Sequence, residues 1–382
     1  MARFSSHGVK QAQHGAWRVR VSADFDAFRD EWTLLESAGA ATVFQSRAWI
    51  SALCNVAAAQ DIEPLFVLVA DKATGAPLML LPLCRRRLNS LAAIEFLDLG
   101  ASDYNAPLLA ADFAPAPPEF SALWTAIRAA LPAADILRID KSPATICGRP
   151  NPLASLGFMH RLTLGAWSLR LPFTREAYER DAIAPRVRKE LLRKRRRLAE
   201  CGPLNLRKAA NADEASAMLR DLAGMRRDRY RALGRHDILA DAGFRKFYAG
   251  LLARGDGLAE IHALDVGGER VAALFGLRHA GAFHFLLSGF HPGEWALKSA
   301  GSVAADMMLS QAIADGLATF DFTIGNAPYK RHFGAVRQDL LGGAQALSYR
   351  ALPQVAERRI KGSLRTLLLP PPAPAPSAPH WR

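Results

Sequence analysis

The segment 261–333 constrains the fold of this chain more than any other part of its 382 residues. Two short turns, Gly267-Gly268 and Ala280-Gly281, separate three runs that are rich in Val, Leu and Phe. Tight hairpins need positive φ angles, which glycine adopts without steric cost. The pattern therefore predicts three antiparallel strands: Glu260–Val266, Arg270–His279 and Ala282–Phe290.

A helix and a fourth strand are predicted to follow. Ser299–Asp315 has apolar residues near helical spacing, a serine at 299 or 302 as its cap, and Gly316 as its stop. Thr319–Ile324 is short, apolar and β-prone. A helix that joins two strands of one sheet makes them parallel. We therefore expect Thr319–Ile324 to lie beside Ala282–Phe290, parallel to it and splayed from it at the strand ends.

The N-terminus of this helix is a candidate phosphate site. Helix N-termini present N–H groups without intrahelical acceptors, and the macrodipole favours an anion there. The residues in question are Lys298, Ser299, Gly301 and Ser302. Gly301 permits close backbone approach, and Lys298 adds a cation. An ordinary capped helix without a ligand is the alternative.

Several motifs together resemble a known family. They are Phe285–Phe290, Ser299-Ala-Gly301, Asp321–Gly325 with Tyr329-Lys330 and Phe333, the basic run Arg188-Lys189 with 193–196, and Ser102-Asp103-Tyr104. With these motifs the chain resembles the GNAT acyltransferase superfamily, and within it the CelD/BcsL branch of cellulose-biosynthesis-associated acetyltransferases (BioF-type acetyltransferase domain), relatives of the Fem aminoacyltransferases. The resemblance covers most of residues 17–345. The chain departs from the pattern at His291 and Ala300, and it lacks the dense glycine pyrophosphate loop.

The resemblance implies an α/β fold of the mixed-sheet α+β kind: tandem GNAT-like domains, each a mixed, mostly antiparallel sheet flanked by helices. It also implies an N-acyltransferase that uses acyl-CoA, with acetyl-CoA as co-substrate. The acceptor implied is an amine of a polar molecule, an amino sugar or an envelope polysaccharide precursor, held in the groove between the domains.

The first half has a related plan, which favours an internal duplication. The strands predicted there are Trp17–Ser22, Glu63–Ala70, Pro77–Arg86, Ala93–Leu99 and Ala134–Asp140, and the helices are Asp24–Ser37, Arg47–Ala58 and Pro118–Leu131. We expect four regions: a disordered N-terminus (1–15), an N-terminal GNAT-like domain (16–150), a C-terminal donor-binding domain (151–350), and a helix with a Pro-rich disordered tail (351–382). The segment 141–164 is expected to bridge the domains. The sharper motifs of the second half predict that the first domain has lost donor binding.

Positive charge is concentrated in one predicted helix. Between Ala184 and Cys201 the chain has eight Arg or Lys against two Glu, within a net charge of +13. Such a surface suits CoA phosphates, a nucleotide-linked or lipid-linked saccharide, RNA or anionic lipid, and a solvated helix is the alternative. Nucleic acid is disfavoured because aromatic residues are not interleaved with the basic ones. The residues predicted to bind the acceptor are Asp103, Tyr104, Arg188, Arg193 and Arg226, and for residues 103 and 104 a polar turn is the alternative.

Acyl transfer needs a held thioester, a base for the amine and a stabilised oxyanion. Backbone amides at Leu287, Ser288 and Gly289 are predicted to hold the pantetheine arm. Asp321 and His284 are candidates for the base or its orienting group, with purely structural roles as the alternative. The resemblance gives Tyr329 the role of protonating the thiolate. It also places Lys330 near the acceptor or the oxyanion, where a surface lysine is the alternative.

The four cysteines form no CxxC pair, so no metal or disulfide framework is expected and a reducing cytoplasm is favoured. No signal-peptide pattern or transmembrane run is apparent. The mixed basic and apolar stretch Val355–Leu369 suggests peripheral association with the inner membrane, or docking on its own domain.

Two rival functions remain open at this stage. A Fem-like aminoacyl-tRNA-dependent transferase would use Arg186–Arg197 to contact tRNA, but the long coiled-coil insertion frequent in such chains is not apparent. A non-catalytic scaffold of a polysaccharide-biosynthesis complex would retain the fold without the cleft. The oligomeric state does not follow from the sequence.

Overall fold

The computed structural model describes residues 10–367, which form two compact units. The first unit runs to Gly165 and resumes at Gln338, and the second is Ala166–Arg337. The expected boundary at 150/151 therefore shifts to 165/166, and the chain after 338 returns to the first unit. The reason is strand pairing across a long sequence separation: residues 340–346 pair with residues 136–143.

Elements are numbered along the chain. Those before the boundary are β1 (Lys10–His14), β2 (Trp17–Ser22), α1 (Arg29–Ala38), α2 (Arg47–Ala59), β3 (Glu63–Asp71), β4 (Pro77–Leu88), β5 (Leu91–Phe96), β6 (Leu108–Leu109), α3 (Pro117–Ala130), β7 (Ile136–Pro143), β8 (Thr145–Ile146) and β9 (Arg149–Pro150), followed by β10 (His160–Arg170), which crosses it. Those of the second unit are α4 (Arg175–Asp181), α5 (Pro185–Ala199), β11 (Leu204–Lys208), α6 (Ala212–Ala232), α7 (Ala242–Ala253), β12 (Ala259–Val266), β13 (Glu269–His279), β14 (Ala282–Phe290), α8 (Glu294–Leu297), α9 (Ala300–Ala314), β15 (Thr319–Ile324) and α10 (Tyr329–His332). The returning chain adds β16 (Val336–Ala346) and α11 (Leu352–Leu367).

The first unit contains a mixed sheet in the order β1-β2-β3-β4-β5-β7-β16. Its strands β2 to β5 are antiparallel, and β5 and β7 are a parallel pair joined through α3. The core packs α3 against the sheet through Phe120, Leu123 and Ile127. This is the predicted plan of antiparallel strands, crossover helix and parallel strand.

Three boundaries in the first unit differ from the sequence prediction. Helix α1 begins at Arg29 and not at Asp24, because the backbone around Asp24 and Asp26 is held in turns by the Ser22 and Asp24 side chains. Residues 10–14, expected to be disordered, pair with β2. The expected bridge 141–164 holds β8, β9 and the start of β10.

The second unit contains a sheet in the order β10-β15-β14-β13-β12-β11. All neighbours are antiparallel except β14 and β15. The predicted strands, turns and crossover helix are confirmed, with Gly267 and Gly268 at φ +60° and +91°.

The two faces of the second sheet carry different helices. On one face, Phe283, Phe285 and Phe320 share a core with α9 and with Leu191 and Leu198 of α5. On the opposite face α6 and α7 pack, with the Tyr248 ring 5.0 Å from that of Phe275. Adjacent residues of a strand therefore point either to α9 or to α6 and α7.

Helix α11 packs on the first unit through Val355, in a core with Ala351. Its outer surface leaves Leu352 58% and Ile360 60% exposed. The Pro-rich tail, residues 368–382, lies outside the described residues. Within residues 10–367 no helix combines the length and apolar character needed to cross a membrane.

Candidate functional site

A slot opens between β14 and β15. Their parallel ladder consists of the pairs Ala282 with Thr319, Phe283 with Phe320 and His284 with Asp321. Beyond the third pair, residues 285–290 and 322–324 have no ladder pairing with each other. The expected parallel, splayed pair is therefore present, and backbone groups of β14 that face β15 beyond His284 lack a ladder partner.

A β-bulge in β14 lies at the apex of this slot. Phe275 pairs with Leu287, but the next residue of β13, Gly276, pairs with Phe285. Leu286 is therefore the extra residue. A bulge bends its strand and re-aims local backbone groups, which here happens where the two strands separate.

Thr323 turns β15 away from β14. Its φ is +57°, a left-handed conformation that is strained for a β-branched residue. Asp321 Oδ1 accepts a hydrogen bond from the Thr323 N–H at 2.7 Å, and Thr323 Oγ1 donates to the Phe285 carbonyl at 3.4 Å. Strain of about 1–3 kcal/mol persists only where surrounding contacts hold the residue. The contacts to Asp321 and Phe285 therefore hold the bend at the point where β15 leaves β14.

Lys330 stabilises the end of β15. The residue is 4% exposed, and its ammonium donates to the carbonyls of Phe322 at 2.8 Å, Thr323 at 3.1 Å and Ile324 at 2.7 Å. The three carbonyls belong to consecutive residues, so Nζ holds the end of β15 in place. Lys330 is thus buried and is not a surface lysine. Its predicted contact with an oxyanion stays a prediction.

His284 and Asp321 form a buried pair at the apex. His284 Nδ1 lies 3.0 Å from Asp321 Oδ2, and the two residues are 8% and 6% exposed. A carboxylate only accepts hydrogen bonds, so Nδ1 carries the proton when the imidazole is neutral, and Nε2 carries the lone pair. His284 is opposite Leu277 and faces α6 and α7. The arrangement is that of a base oriented by a carboxylate.

Tyr329 follows β15 at the mouth of the slot. Its ring lies 6.1 Å from that of Phe322 and 6.3 Å from that of Phe333, and 36% of the residue is exposed. Burial raises the pKa of the Tyr329 phenol, and the positive charge of Arg229 opposes that shift. The phenol therefore stays protonated near neutral pH and can act as a proton donor.

The N-terminus of α9 is less open than the sequence suggested. A Cβ at Gly301 would lie 2.6 Å from Phe290 Cδ1, so the glycine makes room for this ring. Ser299 is the N-cap residue, as predicted, but it has a φ of +65° and its side chain makes no capping hydrogen bond. Lys298 pairs with Glu294 at 3.0 Å, and its Nζ lies 5.2 Å from the Trp295 ring centroid. Hydrogen bonds to Cys201 and Glu294 raise the Lys298 pKa.

The β14 residues predicted to hold pantetheine lie along the slot. Leu287 is buried, and the Ser288 carbonyl accepts a hydrogen bond from Arg226 Nη1 at 3.2 Å. A Cβ at Gly289 would lie 3.0 Å from atoms of Leu222 and Met225, so α6 packs closely on this strand end.

The residues predicted to bind the acceptor are divided between the two units, and their joint role stays a prediction. Arg226 is 7% exposed and bonds Asp237 through Nε at 3.0 Å and Nη2 at 2.7 Å, so it fixes α6 in place. On α5, Arg188 is half-buried and Arg193 exposed. Asp103 and Tyr104 belong to the first unit, where the Tyr104 ring packs 5.5 Å from that of Phe44. The Tyr104 carbonyl accepts from Gln45 Nε2 at 2.8 Å.

The equivalent parallel pair of the first unit is closed by side chains. The Asn105 amide donates to Asp98 Oδ2 at 2.7 Å and to the Asp140 carbonyl at 2.9 Å, which ties the ends of β5 and β7 together. Lys141 adds an ion pair with Asp98 at 2.8 Å. Burial alone would raise the pKa of Asp98, but Lys141 and Asn105 lower it.

Sequence reasoning missed three features of the site: the bulge at Leu286, the bend at Thr323 and the position of Arg229. No local sequence signal marks a positive φ at threonine. The Arg229 guanidinium carbon lies 5.1 Å from the Phe290 ring centroid, whereas the sequence shows this residue only as one of several arginines in α6.

Comparison with known proteins supports the assignment of the fold. Residues 185–331 match the family model of an acetyltransferase (GNAT) domain. This match falls within the second unit and contains β14, α9 and β15. It supports a GNAT-type acyltransferase fold. A search of curated proteins finds no match.

Two solved structures are similar to the chain. The crystal structure of FemX aligns with a TM-score of 0.59 at 10% identity, covering 86% of this chain and 98% of FemX. The C-terminal domain of a candidate lysylphosphatidylglycerol synthetase from Agrobacterium fabrum aligns at 0.51 and 10% identity, covering 82% and 91%. At such identity these likenesses concern the fold alone. They do not distinguish the CelD/BcsL branch from other GNAT-like proteins.

Proposed function

We propose that the chain is an N-acyltransferase that moves an acyl group, acetyl in the simplest case, from acyl-CoA to the amine of a polar acceptor. The observation that carries this proposal is the splayed β14–β15 pair with His284 and Asp321 at its apex. A slot between parallel strands can receive a flexible thioester arm, whose amides then pair with the open strand edge.

The donor would be held by backbone groups and one helix end. The β14 edge from Leu287 to Gly289 would pair with the pantetheine arm, and the first N–H groups of α9 would face the phosphates. Gly301 and Ser302 belong to that first turn. Binding the donor mainly through backbone groups suits a site whose side chains are largely apolar.

In the reaction, the amine nitrogen attacks the thioester carbonyl carbon and forms the C–N bond. His284 Nε2 accepts the proton that the nitrogen loses, while Asp321 holds the imidazole through Nδ1. When the C–S bond breaks, the thiolate takes a proton from the Tyr329 hydroxyl, which regains one from water, and His284 releases its added proton to water. The products are an amide and free CoA. Positioned acid and base groups of this kind contribute about 10²–10⁴-fold each to the rate.

Ligand-induced thermal stabilisation tests the proposal. Acetyl-CoA, a longer acyl-CoA and aminoacyl-tRNA are titrated separately into wild-type protein and into Gly301→Glu. The matched control is Gly250→Glu, a glycine in α7 with nothing within 4 Å of its Cβ position. We expect CoA esters to stabilise wild type and the control but not Gly301→Glu, with circular dichroism confirming that each variant is folded.

The other outcomes favour the rivals. Stabilisation by aminoacyl-tRNA without any by CoA esters favours a Fem-like aminoacyl-tRNA-dependent transferase. The structural similarity to FemX is the reason for testing this alternative. Stabilisation by none of the three favours a non-catalytic scaffold of a polysaccharide-biosynthesis complex.

For location, we propose that the chain works in the cytoplasm and that the outer surface of α11 contacts anionic lipid. Exposed Leu352 and Ile360 lie near the exposed cations Arg359 and Lys361 on this helix, a composition suited to membrane surfaces. Co-sedimentation with anionic but not zwitterionic vesicles, lost in Leu352→Asn/Ile360→Ser, is the expected result. Equal recovery of the variant with anionic vesicles would contradict it.

A further inference from the structure

The C-terminal half of α6 is fixed at the mouth of the slot. Leu222 and Met225 pack on Gly289, and Arg226 Nη1 donates to the Ser288 carbonyl. Arg226 is itself held by Asp237. The last two turns of α6 are therefore anchored to the end of β14, and their side chains are placed relative to the slot by buried contacts.

Arg229 lies one turn beyond Arg226 and reaches the mouth. Its guanidinium carbon is 5.1 Å from the centroid of the Phe290 ring, the last residue of β14. Its charge also acts on the Tyr329 phenol, which follows β15. One exposed cation thus lies at the end of β14, close enough to Tyr329 for its charge to act on the phenol.

The acidic residues near Arg229 in sequence form ion pairs with other arginines. Asp237 pairs with Arg226 at 2.7 Å, and Asp228 lies 3.9 Å from Arg231. A cation near a helix C-terminus complements the macrodipole, and Arg231 already does so. That general role does not require a guanidinium stacked over Phe290 and directed toward Tyr329.

Arg229 extends from the α6 side of the sheet to the end of β14. Helix α6 packs on the face toward which His284 points, because His284 pairs with Leu277 on the face opposite the α9 core. The guanidinium itself lies over Phe290, whose ring packs against Gly301 at the start of α9. Because its charge also acts on Tyr329, the proposed proton donor to the thiolate, the cation lies near the reacting atoms, where it is placed to meet the acceptor.

We propose that Arg229 binds a negatively charged group of the acceptor, a carboxylate or a phosphate, so that the substrate class is anionic amines. The inference rests on the proposed N-acyltransferase function. A guanidinium binds either anion through two parallel hydrogen bonds, and stacking on Phe290 leaves the edges of the guanidinium plane available for them. The acceptor would be fixed at one end by its charge, with its amine directed to His284 Nε2.

Matched pairs of amines test this. Acetyl transfer is measured with glucosamine 6-phosphate against glucosamine, and with glycine against glycinamide, using wild type, Arg229→Gln, Arg229→Lys and the control Arg227→Gln, an exposed arginine of the same helix. We expect wild type to prefer the anionic member of at least one pair by about tenfold or more in kcat/KM, as a charge-assisted bidentate contact provides. The glucosamine pair tests for recognition of a phosphate, and the glycine pair tests for recognition of a carboxylate.

Arg229→Gln is expected to remove the preference through a raised acceptor KM, with transfer to neutral amines reduced far less than transfer to anionic ones and the KM for acetyl-CoA unchanged. Arg229→Lys is expected to recover part of it, and Arg227→Gln to behave as wild type. Added salt should reduce the preference of the wild type.

Three results would overturn the inference. If wild type transfers acetyl equally well to anionic and neutral amines, the role of Arg229 is refuted, but the acyltransferase function is not. A rise in the KM for acetyl-CoA in Arg229→Gln, with acceptor preference retained, assigns Arg229 to the donor. Absence of transfer to every amine by wild type removes the proposed function, and the inference with it.

Discussion

Asp321→Asn is the substitution that examines the proposed chemistry most closely. The carboxylate accepts from His284 Nδ1 at 3.0 Å and from the Thr323 N–H at 2.7 Å. An Asn side chain keeps one oxygen, which can satisfy the backbone N–H, and presents an amide donor to Nδ1. The imidazole then takes the other tautomer, and Nε2 carries a proton where the reaction needs a lone pair.

Asp321→Asn is expected to affect the catalytic rate and the free energy of unfolding by different amounts. Loss of the base lowers kcat/KM by about 10²–10⁴-fold, and this corresponds to about 2.7–5.4 kcal/mol of transition-state stabilisation. Loss of one charge-assisted hydrogen bond lowers the free energy of unfolding by about 1–3 kcal/mol. Steady-state kinetics with acetyl-CoA and urea unfolding measure the two quantities on the same preparations.

Asp306→Asn is a matched control. Asp306 is 4% exposed, lies in the same unit and pairs with Arg175 at 2.8 Å on α9, away from the slot. Arg175 keeps its ion pair with Glu179 at 2.8 Å, and burial raises the pKa of Asp306 despite the Arg175 charge. This variant should therefore also lose about 1–3 kcal/mol of unfolding free energy, while its kcat/KM stays within about twofold, as expected for a change distant from the chemistry.

A double-mutant cycle completes the experiment. If His284 and Asp321 act as one unit, His284→Gln/Asp321→Asn should be no slower than His284→Gln alone. The reasoning is refuted if Asp321→Asn retains more than about a tenth of wild-type kcat/KM, if Asp306→Asn is slowed equally, or if the two single losses simply add.

Three further outcomes are expected. Lys330→Met leaves three buried carbonyls without a donor and should lower the free energy of unfolding by about 3 kcal/mol or more; a loss of kcat at unchanged stability would instead favour an oxyanion role. Burial acts to raise the pKa of Glu260, but hydrogen bonds from His262, Lys208 and Arg278 lower it to about 2 from 4.5. The ionised Glu260 carboxylate therefore stabilises the fold above pH 4.5, and this stabilisation is lost as the pH falls toward 2. Glu260→Gln should lower the free energy of unfolding at pH 7 and make it depend less on pH between 4.5 and 2. An unchanged pH dependence in the variant would contradict this. Calorimetry should give one acetyl-CoA per chain, because Asn105 closes the equivalent position of the first unit, and two sites would contradict that reading.

Local signals explain why much of the fold could be predicted from the sequence. Turn glycines and β-rich runs fixed the β12–β13–β14 meander almost to the residue, and helical periodicity located α9. These features depend on neighbours along the chain. The domain boundary could not be found in this way, because β16 pairs with β7 across a long sequence separation.

The candidate site was predictable only as a set of residue types. His284 and Asp321 were both expected to carry the chemistry, and their direct pairing follows from strand register, which the sequence did not fix. The burial of Lys330 could not be predicted, because it depends on the bend at Thr323, which exposes three carbonyls that need a donor. Arg226 was expected to bind substrate, but Asp237 neutralises it within the fold.

A crystal structure of the chain with acetyl-CoA bound tests the central claim most directly. We expect the pantetheine arm to lie between residues 285–290 and 322–324, hydrogen-bonded to the free edge of β14, with the thioester carbonyl beside His284. Density for the ligand elsewhere on the chain, or β14 and β15 joined in an unbroken ladder that excludes it, would contradict the account.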